Sequence, residues 1–228
     1  MLTLARVAVV GAGRLGTSLA RALRDSGIVV EGPLRRGEVP SRDVTVVLLC
    51  VPDAQIAAAA AGIAPGPVVG HCSGATGLQP LGQHRAFSLH PLMTIPAGGL
   101  TDFRGAPCAV EGDEVAVTLA ERLGMRPIRI APEDRAAYHV AASMASNFLI
   151  ILEDAAERLG ATVGLGRDDL LPIVRASVDN WARLGADALT GPITRGDVAT
   201  IARHRAALTE RAPDLLPMYD AFVEVGRR

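Results

Sequence analysis

The chain has 228 residues, 49% of them hydrophobic and 21% charged, and a formal net charge of −1. That length can bury one large core or two small ones, and the balanced charge gives no electrostatic reason for a nucleic-acid or membrane-surface partner. No apolar run reaches the roughly 18 residues of a spanning helix, the start lacks a secretory pattern, and Cys50, Cys72 and Cys108, without a C-x-x-C, read as reduced thiols of a cytoplasmic protein with no metal site.

Val7 to Val10 reads as a short buried strand, followed by Gly11-Ala12-Gly13-Arg14-Leu15-Gly16 and a helix from Thr17 to Leu23. In G-x-G-x-x-G the first glycine permits a tight turn and the second lets backbone approach a pyrophosphate. The third lets helix and strand pack closely. The helix N-terminus adds unpaired N–H groups and a dipole that attract phosphate. All six residues are assigned to a bound dinucleotide.

Gly27 ends this helix, and Ile28 to Glu31 forms a second strand leading into Gly32-Pro33-Leu34-Arg35-Arg36. The position past this strand decides the cofactor, because a carboxylate there accepts from the ribose of NAD and an arginine pairs with the 2′-phosphate of NADP. Arg35 and Arg36 favour NADP, with Glu31 the competing residue. Asp43 to Val51 gives a third strand whose continuous apolar run suits burial on both faces, and a helix follows from Ala54 to Ile63. Further strands run from Pro67 to Gly70 and from Ala86 to Leu89. They deliver His71-Cys72-Ser73-Gly74-Ala75 and His90-Pro91-Leu92-Met93 to the same sheet edge. Ligands in such sheets lie beyond the carboxyl ends of strands, so Val51, Pro52 and Asp53, with Cys72 and Ser73, are expected to border the cofactor. Ala106 to Val110, a helix from Glu114 to Leu123 and Arg126 to Ile130 complete a doubly wound α/β domain over 1–131.

From 132 to 228 only helices are expected, about Asp134 to Leu159, Asp169 to Leu184, Val198 to Arg211 and Pro213 to Val225. Asp197 reads as an N-cap, and Pro172 and Pro213 as first-turn residues. Helices this apolar need a further surface to cover, which predicts a homodimer through the helical domain. On the first of them His139, Ser143, Ser146 and Asn147 fall on one face at helical spacing. That stripe either satisfies its own hydrogen bonds or faces the nicotinamide cleft.

Reduction of a ketone needs a proton donor and, for a carboxylate substrate, a cation. The chain contains no lysine; all 23 basic residues are arginine. His90 and His139 are therefore the candidate donors, Ser73 and Asn147 the partners of the carbonyl oxygen, and Arg195, in Thr190-Gly-Pro-Ile-Thr-Arg195-Gly-Asp197, the carboxylate ligand. As sources of the chemistry itself, His204, Cys72 and Trp181 read instead as packing or surface residues.

Taken together, GAGRLG, Val51-Pro52-Asp53, His71-Cys72-Ser73-Gly74-Ala75, His90-Pro91-Leu92, Tyr138-His139 with Asn147, and Leu189-Thr190-Gly191-Pro192-Ile193-Thr194-Arg195-Gly196-Asp197 resemble a bacterial oxidoreductase family. Its members join a Rossmann-like domain to a C-terminal domain of unknown function. The resemblance covers nearly the whole length. It implies a C-terminal domain of the 6-phosphogluconate-dehydrogenase type, a homodimer and an NADP cofactor; some members are regarded as alternative ketopantoate reductases. Pyrroline-5-carboxylate reductase and prephenate dehydrogenase are more distant relatives, the latter with a His before Pro as in His90-Pro91. Ordinary ketopantoate reductases use a lysine as general acid, so their mechanism does not transfer to this chain. The expected activity is NADPH-dependent reduction of a small carbonyl compound, a 2-oxo acid such as ketopantoate. The alternatives are an imine-reducing or prephenate-dehydrogenase-like enzyme and a non-catalytic NADP(H)-binding sensor or assembly module.

Overall fold

The computed structural model describes residues 6–96, 98 and 101–227. Its contacts divide the chain into two compact units, Met1–Ser143 and Met144–Arg228.

The first unit is built on one sheet of seven strands: β1 (Arg6–Val10), β2 (Val29–Leu34), β3 (Val46–Leu49), β4 (Val68–His71), β5 (Ala86–Pro91), β6 (Pro107–Gly112) and β7 (Arg126–Arg129), in the spatial order β2-β1-β3-β4-β5-β6-β7. Strands β1 to β5 are mutually parallel. β6 returns antiparallel to β5 and β7 lies parallel to β6. The link from β5 to β6 carries no helix among its described residues, which removes the crossover that a parallel neighbour requires.

Period-two alternation explains why these strands read as unbroken apolar runs. Val7, Val9, Val46 and Leu48 enter one core with Phe87, Leu89 and Leu119, whereas Ala8, Val47 and Leu49 enter another with Ile56, Ala60 and Leu81. Helices α1 (Arg14–Asp25) and α3 (Val115–Arg122) supply Leu19, Leu23 and Leu119 to the first face, and α2 (Ile56–Ala61) supplies Ile56 and Ala60 to the second. Both faces are therefore dry, as a parallel sheet demands.

Strand β2 and the helix after β3 differ from the sequence expectation. β2 continues past Glu31 to Leu34, because Val10 pairs with Leu34 and the Gly11 N–H donates to the Leu34 carbonyl at 2.8 Å. The helix after β3 opens as a 3-10 turn, Asp53–Gln55, before α2.

Helix α4 (Arg135–Ser143) closes the first unit. The expected single helix from Asp134 to Leu159 is interrupted by a π-helical segment, Met144–Phe148, before α5 (Leu149–Ala161). The second unit continues with α6 (Arg167–Leu184), α7 (Val198–Arg211) and α8 (Leu216–Gly226). Asp197 caps α7 by accepting from the Thr200 N–H at 2.9 Å. Pro172 lies inside α6 and not in its first turn, because α6 starts at Arg167 after Gly166, whose N–H donates to Asp169.

Candidate active site

The order of the sheet reverses at β1, whose connection leads outward to β2 and whose other neighbour is β3. The crevice beyond the carboxyl ends of these strands is where open α/β sheets bind ligands. A cleft of about 720 Å³ opens there, walled by Gly11, Ala12 and Gly13, by Arg35, Arg36 and Glu38, and by Val51 and Pro52. Within it the three glycines have separate physical roles. Gly11 has φ +112, and a Cβ on it would stand 2.2 Å from the Cys50 carbonyl oxygen. A Cβ on Gly16 would stand 1.9 Å from the Gly11 oxygen, so helix and turn touch backbone to backbone. Gly13, the N-cap of α1, has nothing within 4 Å of where its Cβ would be. No side chain caps α1 and its first turn holds no acidic residue, so the first N–H groups of a long helix face an open, anion-attracting space. The cradle fits a dinucleotide pyrophosphate.

Arg35 and Arg36 follow directly from the end of β2 and line the same cleft. Glu31 does not compete with them: its carboxylate accepts from the Ser41 N–H at 2.9 Å and pairs with Arg6 at 3.4 Å. Glu38, which sequence reasoning passed over, accepts from the Arg35 N–H at 2.6 Å and shapes the turn that carries the two arginines. Arg14 is exposed at the start of α1, and Leu15 packs against the core; neither walls the cleft. Cys72 also requires correction. It is buried in the core, its sulfur 3.7 Å from that of Cys50, and it is Cys50 that reaches the cleft. Both thiols are free, and the bond to Cys50 together with burial pushes the Cys72 thiol well above its usual range.

Ser73 is bound differently from expectation. Its hydroxyl donates to Asp53 Oδ2 at 2.7 Å and accepts from the N–H groups of Thr76 and Ala75 at 2.9 and 3.2 Å. Thr76 Oγ1 donates to the same Asp53 oxygen at 2.9 Å. The hydroxyl is committed to shaping the 73–76 loop and has no proton left for a carbonyl oxygen. His71 is likewise internal, with Nδ1 accepting from the Ser73 N–H and Nε2 bonded to the Gly77 carbonyl at 3.0 Å. Nε2 therefore carries the proton, and burial foremost lowers the pKa of the ring.

His90, at the end of β5, is half-buried, and its Nδ1 lies 2.6 Å from the Tyr138 hydroxyl on α4. The two rings meet edge to face at 5.7 Å and 87°. Gly74 leaves room for the His90 and His139 rings: a Cβ there would lie 2.7 Å from His90 Cε1 and 2.9 Å from His139 Cδ2. Burial, then the fields of His139 and Arg135, lower the His90 pKa to about 4, whereas burial raises Tyr138 to about 12. At neutral pH both are uncharged.

Arg135 fastens this cluster. It is 4% exposed, donates through Nε to Glu111 Oε2 at 2.9 Å and through Nη2 to the same carboxylate, and gives Ser88 Oγ a 2.6 Å bond. Its remaining nitrogen reaches the Ser73 and Gly74 carbonyls at 3.3 and 3.4 Å. One guanidinium thus ties the first turn of α4 to β5, β6 and the glycine strap, since its rigid fork serves several acceptors at once. Sequence reasoning missed Arg135 and the bonding role of Tyr138. The signals were a charged Glu111 inside a strand and the three-residue spacing of Arg135 and Tyr138, which puts both on one helix face.

The other expected site residues lie on the second unit. Asn147 is exposed and its Oδ1 accepts from Ser146 Oγ at 3.0 Å. His139 and Ser143 keep their four-residue spacing within α4, whereas Ser146 and Asn147 fall in the π segment Met144–Phe148, where the 3.6-residue repeat does not hold. Arg195 is exposed in the turn before α7. The helix N-terminus beside it is already capped by the Asp197 carboxylate, which Thr200 foremost, then Arg203 and Arg195, hold below its usual pKa.

A family model described as a domain of unknown function, DUF2520, matches residues 106–225. A protein of Bacteroides fragilis described as an NADP oxidoreductase superposes with a TM-score of 0.82 at 20% identity, covering 98% of each chain. A protein of Thermotoga maritima superposes at 0.73 with 25% identity, over 97% of this chain and 96% of that one. A reductive aminase of Aspergillus terreus, solved with NADPH4, cyclohexanone and allyl amine, gives 0.68 at 15% identity, over 99% and 95%. No curated protein matches by sequence. These likenesses establish the fold, a Rossmann-like sheet followed by a helical region.

Proposed function

We propose that this chain, which belongs to the DUF2520 family, is an NADPH-dependent oxidoreductase that reduces a small compound bearing a C=O or C=N bond. The observation that carries the reading is the glycine cradle at the switch point with Arg35 and Arg36 beyond β2. The first unit's donors at the next strand end favour an enzyme over a cofactor-binding sensor, which has no use for a hydroxyl and an imidazole held together there. The Aspergillus reductive aminase bound to NADPH4, cyclohexanone and allyl amine adds C=N chemistry to the expected reduction of a 2-oxo acid such as ketopantoate.

Gly11, Gly13 and the first turn of α1 would hold the pyrophosphate, and Arg35 and Arg36 the 2′-phosphate. The bound cofactor supplies hydride. Among this chain's own residues, Arg135 and Ser73 hold the Gly74 strap, and His90 with Tyr138 offers hydrogen bonds at the carboxyl edge of β5. Asn147 and Arg195 are the exposed polar residues of the helical unit to test for contact with a substrate oxygen and carboxylate. Exposed Ile150, Ile173, Trp181 and Val198 support a homodimer through that unit.

The test is NADPH oxidation, followed by absorbance, against ketopantoate, other 2-oxo acids and cyclic imines. Turnover with a member of the panel is expected, and tight NADPH binding without turnover would favour the sensor. Arg35→Ala with Arg36→Ala should weaken NADPH by about 100-fold or more and leave NADH nearly unchanged, since a lost charge-assisted pair costs a few kcal/mol. Equal losses for both cofactors would remove the 2′-phosphate assignment.

A further inference from the structure

We propose that Tyr138 is the acid of this site, with His90 as the partner that restores its proton. The inference rests on the reductase reading above and names a residue that reading leaves open. The geometry supplies three parts. The phenol oxygen is 2.6 Å from His90 Nδ1. The edge-to-face rings fix the phenol relative to β5. The missing Cβ of Gly74 lets the His90 and His139 rings both close on that backbone. Arg135, one helical turn before Tyr138, anchors that turn of α4 to Glu111 and Ser88.

His90 cannot serve as a cationic donor at neutral pH. The groups acting on it are Tyr138, His139 and Arg135 from α4, the last paired with Glu111 of β6, Asp53 from the turn after β3, His71 from β4 and Cys108 from β6. Burial and the neighbouring His139 and Arg135 outweigh Asp53, and the imidazole stays neutral down to a pKa of about 4. A neutral imidazole is a weaker acid than a phenol. Tyr138, pushed up to about 12 by burial, keeps its proton until a stronger base forms beside it. The oxygen or nitrogen of a bond being reduced is such a base.

Reduction at carbon leaves the former π pair on oxygen or nitrogen, which takes the Tyr138 Oη proton as the O–H bond breaks. The phenolate takes the proton of His90 Nδ1, and His90 Nε2 takes one from a water molecule, whose hydroxide leaves to solvent. The imidazole ends neutral as its other tautomer and regains Nδ1–H by exchange with solvent. The starting tautomer carries its proton on Nδ1 and donates to Tyr138 Oη, which leaves the phenolic hydrogen free for substrate.

The experiment uses the full chain and two readouts. Nitrogen-15 NMR of the imidazoles, assigned with His90→Gln, should show His90 neutral and protonated at Nδ1 from pH 5 to 8, with the Nδ1 proton exchanging faster in Tyr138→Phe. Against the panel compound that wild type reduces, Tyr138→Phe should lower kcat by about 100-fold or more with NADPH affinity unchanged, whereas His139→Gln should cost less than about tenfold. A His90 protonated at Nε2, or kcat within about threefold of wild type in Tyr138→Phe, would overturn the proposal. Absence of wild-type turnover across the panel would sink the reductase reading instead, while the NMR result still decides the state of the Tyr138–His90 pair.

Discussion

The two units solve the same problem, covering apolar surface, to different degrees. In the first, both faces of the sheet are sealed by its own helices, and the buried Arg135 has a carboxylate, a hydroxyl and two carbonyls as partners. In the second, among the described residues, only Ala155, Ile201, Leu208, Ala212 and Val223 are buried apolar side chains. Ile173 and Trp181 of α6 remain 66% and 65% exposed, and Ile150, Ile151, Val198 and Val225 are open as well. An apolar cavity of about 420 Å³ lies among Leu152, Leu159, Leu208, Met218 and Phe222. A sheet with helices on both faces finishes its core within one chain, whereas a few helices alone do not. Exposed apolar surface of this kind marks an interface, which is the physical ground for the proposed dimer.

Four perturbations test that contrast. The largest expected effect is on the buried charge. Arg135→Met should lower the stability of the first unit by about 3–5 kcal/mol by stranding Glu111, and the double change with Glu111→Leu should recover much of it. Thermal melts of the three proteins check this; an equal loss in single and double variants would show that the packing of the arginine, not its charge, matters. Next, Gly16→Ala drives a Cβ into the Gly11 carbonyl and should cost about 1–3 kcal/mol with loss of NADPH binding, read by calorimetry. Unchanged affinity would mean that the cradle does not hold the cofactor.

The second unit should answer differently. Ile173→Arg with Trp181→Arg is expected to yield monomers in sedimentation analysis with the sheet unit intact, since both side chains are already exposed within one chain. A dimer that persists would move the interface off α6. The smallest effect concerns acid. His90 has a folded pKa of about 4 against 6.5 for the free group, so its neutral form stabilises the fold fully above pH 6.5. That contribution is lost as pH falls toward 4, roughly 2 kcal/mol of it by pH 5. His90→Gln should flatten wild-type acid destabilisation in this window; an identical pH dependence would show that His90 does not titrate there.

Much of this contrast could be read from residues alone. The glycine fingerprint, the apolar runs of β1, β3 and β4 and the Asp197 cap follow from local rules of turn, period and capping. The two arginines past β2 were also legible, but Glu31 was excluded as their rival only by its bonds to Arg6 and Ser41. Ser73 and Cys72 misled because a sequence shows that a polar group arrives at a sheet edge, not whether its hydrogen bonds are already taken. The π segment at Met144–Phe148 has no composition signature, and it takes Ser146 and Asn147 off the 3.6-residue spacing that links them to His139 and Ser143.

The sequence by itself determined that a phosphate-binding turn opens a parallel sheet, that no lysine is present to act as an acid, and that helices follow. Those conclusions depend on neighbours within a few residues. Tertiary structure alone decided which polar groups are spent and which are poised. Tyr138 meets His90 across 48 positions of chain, and Arg135 reaches Ser73 and Glu111 across 62 and 24. Contacts of that range are set by how α4 lies on β5 and β6, and that packing is a property of the whole sheet.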